Sequence, residues 1–156
     1  MISIDTYLQP DAPDPVLSVN SVLHIARRHA PWLTAVAEVD ESGGEARAYM
    51  LHPDAVLKTQ RPQQLRPRTS LAKEALILEH LAQKATVSVP RLLGYGHDGA
   101  VEYVLMSRMP GVAMRHVPLT RGVRSAVLRD LGRALRQLHD VDQAQLVSSG
   151  LIPGDN

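Results

Sequence analysis

Apolar and polar positions along the first half of this chain follow the periods of one helix and three strands. Residues 18–29 place apolar side chains at helical spacing, and Pro31 ends this pattern. Turns containing glycine or proline separate the strand-like runs that follow, which lie at 33–39, 46–51 and 55–58. Because short turns join antiparallel neighbours, the three runs predict an antiparallel meander.

The second half of the chain predicts two further helices and two further strands. Helical spacing covers 69–85, where one apolar stripe consists of Leu71, Ala75, Leu78, Ala82 and Ala85. An extended segment at 92–93 leads through a glycine-rich hairpin at 94–99 into a strand at 101–106. A long helix follows at 121–141, with a predicted buried face of Val127, Leu131, Ala134, Leu138 and Val141. This order of elements predicts an α+β fold built on an antiparallel sheet.

One charged residue interrupts the apolar stripe of the helix at 69–85. At 100° per residue, Glu74 falls on the same face as Leu71 and Leu78. A carboxylate there is costly to desolvate unless a cation reaches it, and Lys58 closes the preceding strand. This spacing predicts the ion pair with which kinases aim an ammonium group at nucleotide phosphates. The alternative is that Glu74 lies at the edge of the stripe in water while Lys58 only ends a strand.

Three short motifs accompany this lysine and glutamate in a fixed order. They read VPRLLGYG at 89–96, YVLMSRMPG at 103–111 and LGRALRQLH at 131–139. In this order and spacing, the sequence from about residue 22 to 142 resembles the aminoglycoside phosphotransferase and choline kinase family. The resemblance implies a protein-kinase-like N-lobe, with a five-stranded antiparallel sheet and one inward-facing helix, then a hinge and the first helix of the C-lobe. It also implies three parts: a flexible segment at 1–17, the nucleotide-binding N-lobe at 18–106, and the hinge with the start of a truncated helical C-lobe at 107–156.

The same resemblance implies nucleotide-binding roles for particular residues. Lys58 contacts the α and β phosphates and Glu74 holds it in place. Gly43 and Gly44, in the connection between the first two strands, approach the phosphates. Val56 and Met106 contact the face of the purine. In the hinge, the Ser107 carbonyl and the Met109 amide pair with the purine edge. The sequence departs from the family after the glycines, where Glu45 and Ala46 replace the polar Asn or Ser often found there.

The residues that catalyse phosphoryl transfer in this fold are not found in the sequence. The family uses an Asp to orient the acceptor hydroxyl and an Asn with a second Asp to hold Mg²⁺, all beyond the long helix. His139-Asp140 does not supply them, since the position five residues after Asp140 is Gln145. The resemblance implies ATP or GTP with Mg²⁺ as cofactor and a small hydroxyl-bearing acceptor. Because the catalytic residues are missing, we expect no catalysis by this chain alone. The alternative is a naturally truncated, non-catalytic kinase-like binding module.

Composition and charge narrow the classes of partner and the cellular compartment that the sequence allows. The chain has 156 residues, 44% hydrophobic residues and a net charge of +1, so it offers no general attraction for nucleic acid or anionic membranes. The absence of cysteine, of a secretory signal pattern and of a long apolar run fits a cytoplasmic protein. The dispersed histidines indicate no metal site. The last helix leaves two points open. Its arginines form either a solvated face or a nucleic-acid contact, and these are Arg124, Arg129, Arg133 and Arg136. Its apolar side could be covered by a second copy in a homodimer.

Overall fold

The computed structural model describes residues 14–42, 44–61, 70–112 and 116–151. Over these ranges the chain forms nine helices and strands in the predicted α+β order, with one short helix added at the end. The elements are α1 (Val19–Arg27), β1 (Ala35–Asp40), β2 (Ala46–His52), β3 (Ala55–Gln60), α2 (Leu71–Lys84), β4 (Leu92–Asp98), β5 (Val101–Ser107), α3 (Arg121–His139) and α4 (Ala144–Ser148).

The five strands form one antiparallel sheet in the order β1-β2-β3-β5-β4, which confirms the predicted sheet. Strand β5 lies between β3 and β4, and the consecutive residues 103–106 are all buried. A strand covered on both faces needs a continuous apolar run rather than alternation. This explains the unbroken apolar run of Tyr103, Val104, Leu105 and Met106 in the sequence.

A separate core covers each face of the sheet. Helix α1 packs with Tyr49, Leu57 and Leu105 on one face, whereas α2 packs with Val104 and Met106 on the other. Because neighbouring strand residues point to opposite faces, Leu105 and Val104 belong to different cores. Lys58, which follows Leu57, therefore faces α2.

The structure corrects two details of the predicted elements around this sheet. The hairpin expected at 94–99 is tighter, because β4 continues to Asp98 and only Gly99, with φ of 59°, and Ala100 form the turn. In α2, Ala82 is exposed, whereas His80 is 6% exposed and occupies a buried position. Packing against the chain that follows α3, rather than hydrophobicity, places His80 inside.

The predicted buried face of α3 is wrong for the described residues. No residue of α3 is buried, and Val127 and Leu131 are 38% and 47% exposed. The other residues of this face, Ala134, Leu138 and Val141, are only partly buried. Among the described helices, none combines the length and apolar composition needed to cross a membrane.

An ionic network centred on the buried Arg47 ties residues that precede α1 to the sheet. The Arg47 guanidinium, on a side chain that is 3% exposed, donates to both carboxylate oxygens of Asp14 at 3.0 and 3.1 Å. It also donates to the Pro15 carbonyl and to Glu41, while Arg61 donates to Asp14 at 3.0 and 3.2 Å. Burial of the Asp14 carboxyl opposes its ionisation, but the two guanidinium groups outweigh this effect and keep the pKa of Asp14 below its ordinary value of 3.8.

Acid is expected to weaken this network. Because the folded-state pKa of Asp14 lies below 3.8, its stabilising contribution is present above that pH and is lost as the pH falls through the folded-state value. Near pH 6, Asp14→Asn should lower the free energy of unfolding by about 1–2 kcal/mol, and this difference should shrink as the pH falls below 3.8. Urea unfolding of both proteins across this range checks it, and a pH-independent difference would show that the carboxylate charge does not hold the arginines.

Candidate functional site

The lysine and glutamate singled out in the sequence meet between β3 and α2. The Lys58 Nζ donates to Glu74 Oε1 at 2.8 Å and to Oε2 at 2.6 Å. Their side chains are 28% and 31% exposed, so the pair is half-buried and part of each side chain is accessible to solvent. The alternative in which the two side chains lie apart in water is wrong.

Helix α2 is positioned so that Glu74 reaches the sheet. Ser70 caps the helix by accepting from the Lys73 amide at 3.1 Å. From β5, Glu102 Oε1 accepts from the Ala72 amide at 3.1 Å and from the Tyr95 hydroxyl at 2.8 Å. Burial, and then the hydrogen bond to Glu102, raises the pKa of Tyr95 to about 12, so this phenol stays protonated and donates. A strand carboxylate thus anchors the first turn of the helix.

The segment that leaves β5 forms a shallow cleft. The Ser107 amide donates to the Arg91 carbonyl at 2.9 Å, and the Arg108 amide donates to the Asp54 carbonyl at 2.8 Å. These bonds attach the segment to the start of β3 and to the chain before β4. A cavity of about 360 Å³ opens beside it, lined by Asp54, Arg108, Met109, Pro110 and Gly111.

The remaining apolar candidates lie between this cleft and the ion pair. Val56 is paired with Met106 across β3 and β5, and Lys58 is paired with Val104 one step along the same face. Because strands rise about 3.3 Å per residue, Lys58 lies about 10 Å along β3 from the residue paired with Ser107, which is Ala55. Along β3, the cleft therefore lies beside the Ala55 end and Lys58 lies three residues further on, with Val56 and Met106 between them on the face that α2 covers.

The connection between β1 and β2 is described only in part. Gly43 lies outside the described residues. Gly44 has φ of 70°, a conformation that favours glycine, and it precedes Ala46, which pairs with Gln60. The connection therefore lies at the Gln60 end of β3, two residues beyond Lys58. Whether Gly43 and Gly44 contact phosphates stays a prediction.

Sequence reasoning missed two polar contacts that hold α2. One is Glu102, which interrupts the apolar run of β5 and for this reason was recognisable in the sequence. The other is His80, whose Nε2 lies 2.6 Å from the backbone oxygen of Asp142. No local pattern indicates a contact between residues 62 positions apart. In the described ranges, no group of three or more His, Cys, Asp or Glu side chains could hold a metal ion.

The sheet, the helix across one face and the ion pair between them define the class of protein. A five-stranded antiparallel sheet, with a helix that carries the partner of a strand lysine, is the fold of a protein-kinase-like N-lobe. The model of the phosphotransferase enzyme family matches residues 36–152, so the chain belongs to this family. No curated protein matches the sequence at a significant level.

Two solved structures show how far the likeness extends. The streptomycin–ATP–APH(2'')-IIa ternary complex is 16% identical with a TM-score of 0.55, over 81% of this chain and 42% of that chain. WbdD in complex with the kinase inhibitor LY294002 is 16% identical with a TM-score of 0.40, over 67% of this chain and 26% of that one. The chain thus spans less than half the length of the first of these structures, and the likeness to it shows the fold.

Proposed function

We propose that this chain is the nucleotide-binding part of a phosphotransferase that moves the γ-phosphate of ATP or GTP to a hydroxyl group of a small molecule. The observation that carries the proposal is the half-buried Lys58–Glu74 pair on the α2 face of the sheet. The family match supports it, and so does the ATP present in the structurally similar APH(2'')-IIa complex. An ammonium group that a carboxylate fixes, on a side chain that is only partly buried, is suited to pair with phosphate oxygens.

The residues around the pair fit a nucleotide along the α2 face. In this proposal Lys58 holds the α and β phosphates, and the backbone of Gly43 and Gly44 approaches them from the β1–β2 connection. Val56 and Met106 contact the face of the purine. In the same proposal, the Ser107 carbonyl and the Met109 amide pair with the purine edge beside the cleft of about 360 Å³, which Met109 lines.

Several wider features belong to the same proposal. Residues 18–106 form the nucleotide-binding lobe and 107–156 the hinge and the beginning of the second lobe. Mg²⁺ accompanies the nucleotide, with its ligands and the catalytic Asp supplied from outside this chain, and the small-molecule acceptor binds mainly there as well. The location proposed is the cytoplasm.

A homodimer through α3 also stays a prediction. Apolar side chains on this helix are 38–49% exposed, and a second copy of the helix would cover them. The residues concerned are Val123, Val127, Leu128, Leu131 and Leu135. The arginines of the same helix do not require a nucleic-acid partner, because Arg133 and Arg136 pair with Asp130 and Asp140 at the exposed surface.

Nucleotide binding can be measured with this chain alone. A ligand that binds only the folded state and is present at about 100 times its Kd raises the free energy of unfolding by about 2.7 kcal/mol. We expect ATP or GTP to give this increase in urea unfolding, whereas adenosine, which lacks phosphates, gives much less. A chain whose unfolding curve does not respond to either nucleoside triphosphate at millimolar concentration would contradict the proposed function.

A further inference from the structure

Helix α2 is held by polar contacts on either side of Glu74. Towards its beginning, Glu102 accepts from the Ala72 amide at 3.1 Å. Towards its end, His80 Nε2 lies 2.6 Å from the Asp142 backbone oxygen. Glu74, which pairs with Lys58, lies between these two contacts. The placement of the ion pair therefore depends on both ends of the helix.

The His80 contact joins α2 to the chain that follows α3. A carbonyl oxygen only accepts hydrogen bonds, so His80 carries a proton on Nε2 and donates it. The side chain is 6% exposed, and Leu146 of α4, at 9%, packs beside the same site. A cavity of about 120 Å³ lies here, lined by Leu76, Glu79, His80, Gln83, Gln145 and Leu146. Apolar side chains would suffice for packing at this junction, whereas a hydrogen bond to one carbonyl fixes a direction.

Helix geometry connects this hydrogen bond to the ion pair. Glu74 and His80 are six residues apart on one helix, which corresponds to about 9 Å along its axis. A rotation of α2 by about 20° would move a side-chain end that lies about 6 Å from the axis by about 2 Å. Such a displacement exceeds what the contacts of 2.6 and 2.8 Å between Lys58 and Glu74 can absorb.

We infer that His80 is a positioning residue for the Lys58–Glu74 pair. Its hydrogen bond to the Asp142 carbonyl fixes the rotation of α2 and couples the Lys58 ammonium to the segment between α3 and α4. The consequence for nucleotide affinity rests on the proposed function. The effect on the ion pair itself does not require any nucleotide.

A matched pair of substitutions separates the hydrogen bond from packing. His80→Gln keeps an N–H donor at a similar distance from the backbone. His80→Met introduces a side chain of nearly the same length and shape as Gln, but without the donor. The readout is the rate at which an amine-acylating reagent modifies Lys58, measured by peptide mass spectrometry without nucleotide. Lys73 and Lys84 are the other lysines of the sequence and serve as internal references. An ammonium held between two carboxylate oxygens is shielded from the reagent.

We expect His80→Met to raise the Lys58 labelling rate about fivefold relative to Lys73 and Lys84, and His80→Gln to restore the wild-type ratio. An unchanged ratio in His80→Met overturns the inference, and so does an equal increase in both variants, which would show that His80 acts only by packing. If neither variant folds, the imidazole ring is needed for the fold as a whole rather than for the ion pair, and the inference is likewise overturned.

Nucleotide affinity gives a second readout. His80→Met should weaken binding of ATP by about fivefold in calorimetry, equal to about 1 kcal/mol, and His80→Gln should not. Failure of the wild-type chain to bind ATP would contradict the proposed function alone, because the labelling experiment would still decide the role of His80. Wild-type ATP affinity in His80→Met would show that the coupling does not reach the phosphate site.

Discussion

Lys58→Met should abolish most of the stabilisation that ATP gives to the wild-type chain. A hydrogen bond between charged groups contributes about 1.5–3 kcal/mol, and the upper end of this range corresponds to about a 100-fold loss of affinity. At a nucleotide concentration of 100 times the wild-type Kd, the gain in unfolding free energy should then fall from about 2.7 to about 0.4 kcal/mol. Urea unfolding with and without ATP measures both values.

A charge swap separates the phosphate contact from the ion pair. The double variant Lys58→Glu/Glu74→Lys retains opposite charges across β3 and α2, where the native side chains are about 30% exposed. Its stability without nucleotide should therefore be closer to wild type than that of Lys58→Met, which leaves Glu74 without its cation. It should still not respond to ATP, because a carboxylate replaces the ammonium group on the strand.

Lys84→Ala is the matched control for the loss of a positive charge. Lys84 is exposed and lies at the end of α2, on the same helix as Glu74. Its removal should leave the response to ATP within about 0.5 kcal/mol of wild type. A full ATP response in Lys58→Met, or an equal loss in Lys84→Ala, would exclude Lys58 as the specific phosphate contact.

The ion pair was predictable because a charge on an apolar stripe leaves few solutions. Glu74 had to find a cation on the sheet that α2 packs against, and Lys58 lies on β3 of that sheet, two residues before the strand ends. The sheet was predictable for a similar reason, since the apolar run of β5 and the turns around it allow few other arrangements. These features were visible in the local sequence pattern because the cost or gain of burying a side chain depends mainly on that side chain.

Features that depend on distant partners were not visible in the sequence. His80 is buried because the carbonyl of Asp142 and helix α4 cover it. Helix α4 has no side-chain N-cap, so its start was not recognisable in the sequence. The exposed face of α3 shows the opposite error, because a helical apolar stripe indicates what a helix can bury, not whether the described chain covers it. Residues 14–17, assigned to a flexible segment, include Asp14 and Leu17, which hydrogen-bond to Arg47 and Tyr49 of β2.

The strongest effect on stability is expected from Arg47. Its side chain is 3% exposed and donates to Asp14, Glu41 and the Pro15 carbonyl. In Arg47→Met the aliphatic stem is kept, but the carboxylate of Asp14, on a side chain that is 16% exposed, loses two hydrogen bonds and keeps those from Arg61. Removal of one partner from a buried ionic network costs about 3–5 kcal/mol, so we expect the free energy of unfolding to fall by about 3 kcal/mol.

A second arginine shows that burial, rather than charge, causes this loss. Arg133 pairs with Asp130 at 3.0 Å, but both side chains are at least 70% exposed. Water screens this pair, so Arg133→Met should change the unfolding free energy by less than about 1 kcal/mol. Thermal and urea unfolding of the two variants test the comparison. Equal effects would mean that the network at Arg47 is solvated in solution, and that the residues before α1 are not fixed to the sheet by charge.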